Sequence, residues 1–220
     1  MRYRIVNRAV APLLRVRFWM ANLIFDRFLK GMAKNEEWLD TLFSTLSVGP
    51  GQDVLVLGSH SSSIVAALSK TFPTANFAVQ DQNRKLRARA QRQTSLPNVA
   101  NTLPAPAIDV LAFDKKSFHQ VVCFLALHER RPEDKLILLT EIARVLRRGG
   151  ILYIVEFDKP ENDQESKMLR VAGRKSRAAV ISHLSGTWLS FLSKAGFSDI
   201  RRRSSHSIKA GRLSVVTARR

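Results

Sequence analysis

Residues 53–63 read DVLVLGSHSSS, an apolar run that meets one glycine and then a string of small polar residues. A turn of this kind, between a buried strand and a helix, can hold a ligand against the backbone, because glycine lacks Cβ and accepts positive φ. Gly58, Ser59, His60 and Ser62 are therefore candidate ligand contacts, although a serine turn that only caps the next helix uses the same residue types. His60 reads equally as a loop hydrogen-bonder or as a ligand contact. Asp81 lies 23 residues after Gly58, just past a second apolar stretch, NFAVQ. A carboxylate there can accept two hydrogen bonds from a ribose diol. A third apolar run, HQVVCFLAL, ends in Leu127–His128–Glu129. His128 and Glu129 could take up a proton beyond that run. Alternatively, His128 orders the loop and Glu129 caps a helix at Glu133. No metal-spaced Cys/His cluster, phosphate-binding GKS/T loop or hydrolase triad signature accompanies them.

Periodicity supplies the elements that must carry these residues. Strands are predicted over 53–58, 76–80, 119–127, 151–157, 198–203 and 212–218, with weak strand or loop over 98–113. Helices are predicted over 36–47, 63–72, 84–93, 132–146 and 183–195. The helix over 132–146 carries apolar residues at 136, 139, 142, 143 and 146, and RRGG is read as its stop. Gly196 is read as the cap of the helix over 183–195. Strands alternating with helices imply an α/β domain with a parallel sheet covered on both faces. The final strand pair, with a turn at Lys209–Gly211, is read as an antiparallel addition at the edge. Ligands of such sheets bind beyond the carboxyl ends of the strands, where strand order reverses.

The net charge of +18 is unevenly placed. Residues 1–25 hold five Arg and no acid, and residues 166–220 hold 13 Lys/Arg against Asp199 alone. Between them lie 18 Lys/Arg and 17 Asp/Glu, the balance of an ordinary domain. Leu14, Phe18, Ala21, Phe25, Phe28 and Met32 share one helical face, so residues 1–35 read as a basic apolar helix that packs on the domain or lies on a membrane surface. An Arg-rich, acid-poor start also resembles a mitochondrial presequence, although Ser and Thr are absent from it. Basic segments of this density seek phospholipid or nucleic acid, or serve solubility. No apolar stretch reaches the roughly 18–20 residues of a membrane span. One cysteine, Cys123, excludes a disulfide framework and fits a reducing compartment.

Residues 36–220 form the expected main domain. From about residue 40 onward the chain resembles the class I S-adenosylmethionine-dependent methyltransferases, and among them the enzymes related to quinone-biosynthesis C-methyltransferases. Asp81, the stretch FDKKSFHQVVCFLALHE, the stretch EIARVLRRGGILYIVEFDKP and the final AGF…GRLSVVTA carry that resemblance. It implies a doubly wound, Rossmann-like sheet of seven mostly parallel strands in the order 3-2-1-4-5-7-6, behind an N-terminal helical extension. It also implies S-adenosylmethionine held by the first turn and by Asp81, with Gln82 beside it on ribose or adenine. The departures are specific. Val56 stands at the family's methionine-binding acid, His60 and Ser62 at its second and third glycines, and Ala107 at its adenine-contacting acid, with Asp109 two residues on as a replacement. His119 replaces the acid of SFD, and Arg148 the proline of RPGG. Losing two charge-assisted hydrogen bonds of about 1.5–3 kcal/mol each would weaken the cofactor hundreds-fold unless other groups compensate.

The expected function is transfer of a methyl group from S-adenosylmethionine to a small apolar acceptor, a quinone or a lipid, at an anionic membrane surface met by the basic N-terminal helix. The expected location is cytoplasmic and peripheral on an inner membrane, or the mitochondrial matrix in a eukaryote. Two alternatives stand beside it. Rhodoquinone-biosynthesis enzymes share the altered first motif and an LHE, which would make the reaction amino transfer to a quinone, with His128 and Glu129 binding a metal. A catalytically dead methyltransferase fold could instead bind RNA or a ribonucleoprotein through the basic C-terminal segment.

Overall fold

The computed structural model describes residues 37–58, 61–80, 99, 110–172, 177–208 and 211–220. The expected N-terminal helix, the helix over 84–93 and the candidates Ser59, His60, Asp81, Gln82 and Asp109 lie outside the described residues, as does the side chain of Ser62. In chain order the elements are α1 (Glu37–Thr45), β1 (Asp53–Gly58), α2 (Ser61–Thr71), β2 (Asn76–Gln80), β3 (Phe118–Phe124), α3 (Pro132–Val145), β4 (Leu146–Phe157), α4 (Asp163–Ala172), α5 (Arg177–Leu184), a 3₁₀ turn (Thr187–Leu189), α6 (Ser190–Lys194), β5 (Ser198–Ile208) and β6 (Gly211–Arg219).

The strands form one sheet in the order β2-β1-β3-β4-β6-β5. β2, β1, β3 and β4 are parallel, and β6 runs antiparallel to both β4 and β5. Six strands are described where seven were expected. A parallel bridge, Phe77 to Val99, lies on the side of β2 away from β1. β1 and β3 read as continuous apolar runs because both faces of the sheet are covered. On one face, Leu42 of α1 and Ile64 and Leu68 of α2 pack on Val54, Val56, Val122 and Val155. On the other, Leu138, Leu139 and Ile142 of α3 pack with Trp188 on Leu55, Val121, Cys123 and Ile154. Val56, at the position where the family has an acid, is a fully buried part of the first core.

Four sequence expectations are corrected. The strand over 119–127 ends at Phe124: Leu125 takes φ +46 and donates its N–H to Val155 O at 2.9 Å, turning the chain out of the sheet. RRGG does not stop a helix. α3 ends at Val145, Leu146 is already extended, and residues 147–150 belong to β4. Gly149 (φ +75) donates to Arg220 O and Gly150 O accepts from Arg220 N–H, both at 3.0 Å, so this irregular stretch is tied to the chain end. α3 buries Lys135, Leu138, Leu139, Ile142 and Val145, a face rotated from the predicted one that brings a lysine inward. The helix over 183–195 is broken at Gly186 (φ +77) into α5, the 3₁₀ turn and α6, and α4 was not anticipated at all. Gly196 does end α6, at φ +87.

Candidate active site

Strand order reverses between β1 and β3, so the crevice opens where Gly58 and Phe124 lie side by side at their carboxyl ends. Gly58 has φ +107, and a Cβ there would stand 2.1 Å from Phe124 O. Its glycine is therefore demanded by the neighbouring strand, whether or not a ligand approaches. Gly58→Ala is expected to cost roughly 2–4 kcal/mol from strain and overpacking together, read as a lower urea midpoint with unchanged m-value.

Residues 61–63 of the serine string are the first turn of α2 rather than a loop ahead of it, since the helix begins at Ser61. Ser61 is fully buried, and its Oγ has no hydrogen-bond partner. At the end of β2, Gln80 is also buried. Its Nε2 donates to Val110 O at 3.4 Å, while its Oε1 has no partner. Two orphaned polar atoms thus lie at the carboxyl ends of adjacent strands, one at a helix N-terminus. Buried polar atoms in a native fold find partners, so this arrangement fits a polar ligand reaching both points.

The residues after β3 form a second polar cluster. Leu127 and His128 are buried, and Glu129 is exposed. The N-cap position of α3 belongs to Arg131, not to Glu129, and the Arg131 side chain makes no capping bond. His128 instead turns inward. Its Nδ1 lies 3.0 Å from Glu156 Oε1, and its ring meets Phe157 edge-on at 4.8 Å. Glu156, near the end of β4, is fully buried. Its Oε2 accepts Leu127 N–H at 2.6 Å and its Oε1 accepts Phe157 N–H at 2.9 Å. Burial pushes this carboxyl up, but the charge and hydrogen bond of His128, the nearby His183 and Leu127 N–H outweigh it and hold it at about 2. A carboxylate accepts only, so Nδ1 of His128 carries the hydrogen and Nε2 is left as a base.

Two further polar side chains sit in this interior. Lys135 Nζ donates to Ala179 O and, at 2.7 Å, to Ser182 Oγ. Burial lowers its pKa to about 8 despite the pull of Glu156. His183 donates from Nδ1 to Phe157 O at 2.8 Å and stacks on Trp188, with Nε2 unpartnered. Burial lowers its pKa to about 4, keeping it neutral. Beyond them, a polar cavity of about 530 Å³ lies between Asp158, Lys159, Gly186, Arg202 and Arg212. Cys123 is buried and its thiol is pushed up, first by burial and then by Glu156, so it offers no thiolate. His119 lies at the opposite end of β3, with Nδ1 3.0 Å from Asp53 N and Nε2 2.7 Å from Arg147 Nη1, far from this chemistry.

The sequence had paired His128 with Glu129. The fold pairs it with Glu156, 28 residues on. Glu156 was missed because it sits inside ILYIVEF, an apolar strand run. An acid in such a run is itself the signal, since an ionised carboxylate is rarely buried without partners. Among the described residues, no three His, Cys, Asp or Glu side chains converge as metal ligands.

Residues 55–154 match a protein family described as a methyltransferase domain. An uncharacterised methyltransferase of Synechocystis is 25% identical over 204 residues, covering 91% of each chain. The ubiquinone/menaquinone biosynthesis C-methyltransferase of Wigglesworthia glossinidia brevipalpis is 31% identical over 132 residues, covering 56% of this chain and 50% of that one. The crystal structure of an S-adenosylmethionine-dependent methyltransferase from Mesorhizobium loti superposes with TM-score 0.61 at 18% identity, over 85% of this chain and 99% of that one.

Proposed function

We propose, from the premise that this chain belongs to the S-adenosylmethionine-dependent methyltransferases, that it methylates a small apolar acceptor of the quinol type whose hydroxyl is deprotonated by His128. The bound cofactor would supply an electrophilic methyl group. Gly58, Ser61 and Gln80 would hold it among the described residues, with Ser59, His60, Ser62, Asp81, Gln82 and Asp109 as further candidates. The observation that carries the proposal is the buried His128–Glu156 pair immediately after β3. Methyl transfer is mostly positioning and exclusion of water, and needs a base only where the acceptor loses a proton. His128 is such a base: Glu156 fixes its tautomer, and Nε2 is turned from that carboxylate. The acceptor's hydroxyl proton would pass to Nε2, and the electron pair released into the ring would form the carbon–carbon bond to the methyl group as its carbon–sulfur bond breaks and that pair leaves on sulfur; the methylated ring carbon would then give up its own proton to restore the aromatic ring. The likeness to a quinone C-methyltransferase supports the acceptor class.

Calorimetric titration with S-adenosylmethionine tests the cofactor half. Saturable binding is expected, with Ser61→Ala weakening it about fivefold through the loss of one hydrogen bond and Asp81→Ala abolishing it. No heat at millimolar cofactor, together with tight salt-dependent RNA binding, would favour the dead-fold alternative. Mass analysis of a demethylated quinol after incubation tests the acceptor half. Gain of one methyl carbon supports methyl transfer, and replacement of a ring substituent by nitrogen points to amino transfer.

A further inference from the structure

Two short helices between β4 and β5 have an outer face that neither the fold nor the proposed chemistry uses. On α4, Leu169 and Glu165 are buried, whereas Met168 and Val171, one turn apart, are 36% and 59% exposed. Lys167 and Arg170 stand beside them, also exposed. On α5, Ala179, Val180, Ser182 and His183 point inward, while Ile181 is 61% exposed and Arg177, one turn earlier on the same side, is exposed. α4 and α5 pack on each other, so the two faces adjoin. Three large aliphatic side chains outside the core are thus interleaved with three cations that have no ion pair within the described residues. Residues 166–198 hold six Lys/Arg and no Asp or Glu.

We infer that the outer face of α4 and α5 docks the protein on an anionic phospholipid surface, the aliphatic side chains entering the acyl boundary and Lys167, Arg170 and Arg177 meeting the headgroup phosphates. The pattern is that of an interfacial surface: aliphatic tips inserted a few ångströms, cations at headgroup level, no span. Among the described residues no helix is long and apolar enough to cross a membrane. A nucleic acid would use the cations but gain nothing from exposed Ile, Val and Met, and none of the exposed apolar side chains is aromatic. Charge complementarity therefore selects a lipid. This docking rests on the apolar acceptor proposed above, and it places that acceptor's source. The inner face of α5 carries Ser182 and His183 beside Lys135, and Gly186 at its end borders the polar cavity. One helix thickness, about 10 Å, separates the lipid-facing side from the buried cluster.

The test is co-sedimentation of the full chain with phosphatidylglycerol/phosphatidylcholine vesicles and with phosphatidylcholine alone. Binding is expected to the anionic vesicles only and to fall with salt. Met168→Glu/Val171→Glu/Ile181→Glu and Lys167→Glu/Arg170→Glu/Arg177→Glu should each reduce it at least tenfold, given about fivefold per cation near such a surface. All six sites are exposed, so thermal unfolding should stay unchanged, and Ile181→Glu alone should give a smaller loss. Wild-type binding retained by both triple variants overturns the inference and assigns any lipid affinity to the basic segment at 1–25. Failure of the wild type to sediment with anionic vesicles overturns it, and so does a dimer, or an RNA complex, disrupted by the same substitutions. Cofactor titration separates the two readings: vesicle binding without cofactor binding sinks the methyl-transfer proposal alone, and the reverse sinks the docking alone.

Discussion

Glu156→Leu is expected to destabilise the fold by about 3–5 kcal/mol, because it leaves three buried donors unsatisfied at roughly 1–3 kcal/mol each. The carboxylate serves three donors that cannot reach water: Leu127 N–H, Phe157 N–H and His128 Nδ1. Leucine would strand all of them and remove the carboxylate whose charge favours protonated Lys135. Glu156→Gln keeps a carbonyl oxygen for one or two donors and should lose less, about 1–3 kcal/mol. Urea unfolding at neutral pH measures both, and a loss below about 1 kcal/mol for leucine would remove Glu156 from its role. The pH dependence should show the same cluster. The pKa of Glu156 is depressed from 4.5 to about 2 in the fold, so its contribution is complete above 4.5 and is lost as pH falls toward 2. His183 is depressed from 6.5 to about 4, so the unfolded chain binds its proton first and stability already falls as pH drops from 6.5 toward 4. Both slopes have the same sign. Wild-type stability should decline steadily from pH 6.5 downward, and Glu156→Gln should flatten the part below 4.5.

The contrast between Glu156 and the residues found from sequence shows what a chain reveals locally. β1, β2, the parallel sheet and the antiparallel end were legible because each strand is a run of apolar residues bounded by turn chemistry, and those signals are local, whereas the order of the strands followed only from the family resemblance. The first-motif departure was legible as a substitution, but not its consequence. Val56 fills a core position, and residues 61–63 wind into the first turn of α2, with Ser61 Oγ left without a partner. The inward turn of Lys135 was hidden because the apolar count on α3 allows more than one face, and only the packing of α5 against it, through Ala179 O and Ser182, decides between them. The His128–Glu156 pair was hidden because it joins the ends of two strands through a neighbouring-strand contact that no spacing rule encodes. Glu129, adjacent in sequence, was the natural partner to choose, and the turn that buries one residue exposes the next.

His128→Asn is expected to lower kcat for methyl transfer by about 10²- to 10⁴-fold, the range for removing a general base, with little change in KM. Asparagine is chosen because its amide nitrogen overlies the position of Nδ1 and can still donate to Glu156 Oε1, whereas nothing replaces Nε2. The loop after β3 should therefore keep its anchor through Leu127 N–H and the amide, and unfolding should shift by no more than about 1 kcal/mol. Those two readouts separate the roles that the sequence left open. If His128 only orders the loop, the asparagine variant keeps both its stability and its rate. If Nε2 takes the acceptor's proton, the rate collapses in a folded protein whose cofactor affinity, measured by calorimetry, is unchanged. Alanine is a poorer probe, since it removes the hydrogen bond to Glu156 together with the base and repeats part of the stability loss of Glu156→Leu. A full rate in His128→Asn would leave Glu156 as a structural carboxylate and require the acceptor to react without losing a proton, as an amine or thiolate does, which would displace the quinol-type acceptor as well as the base.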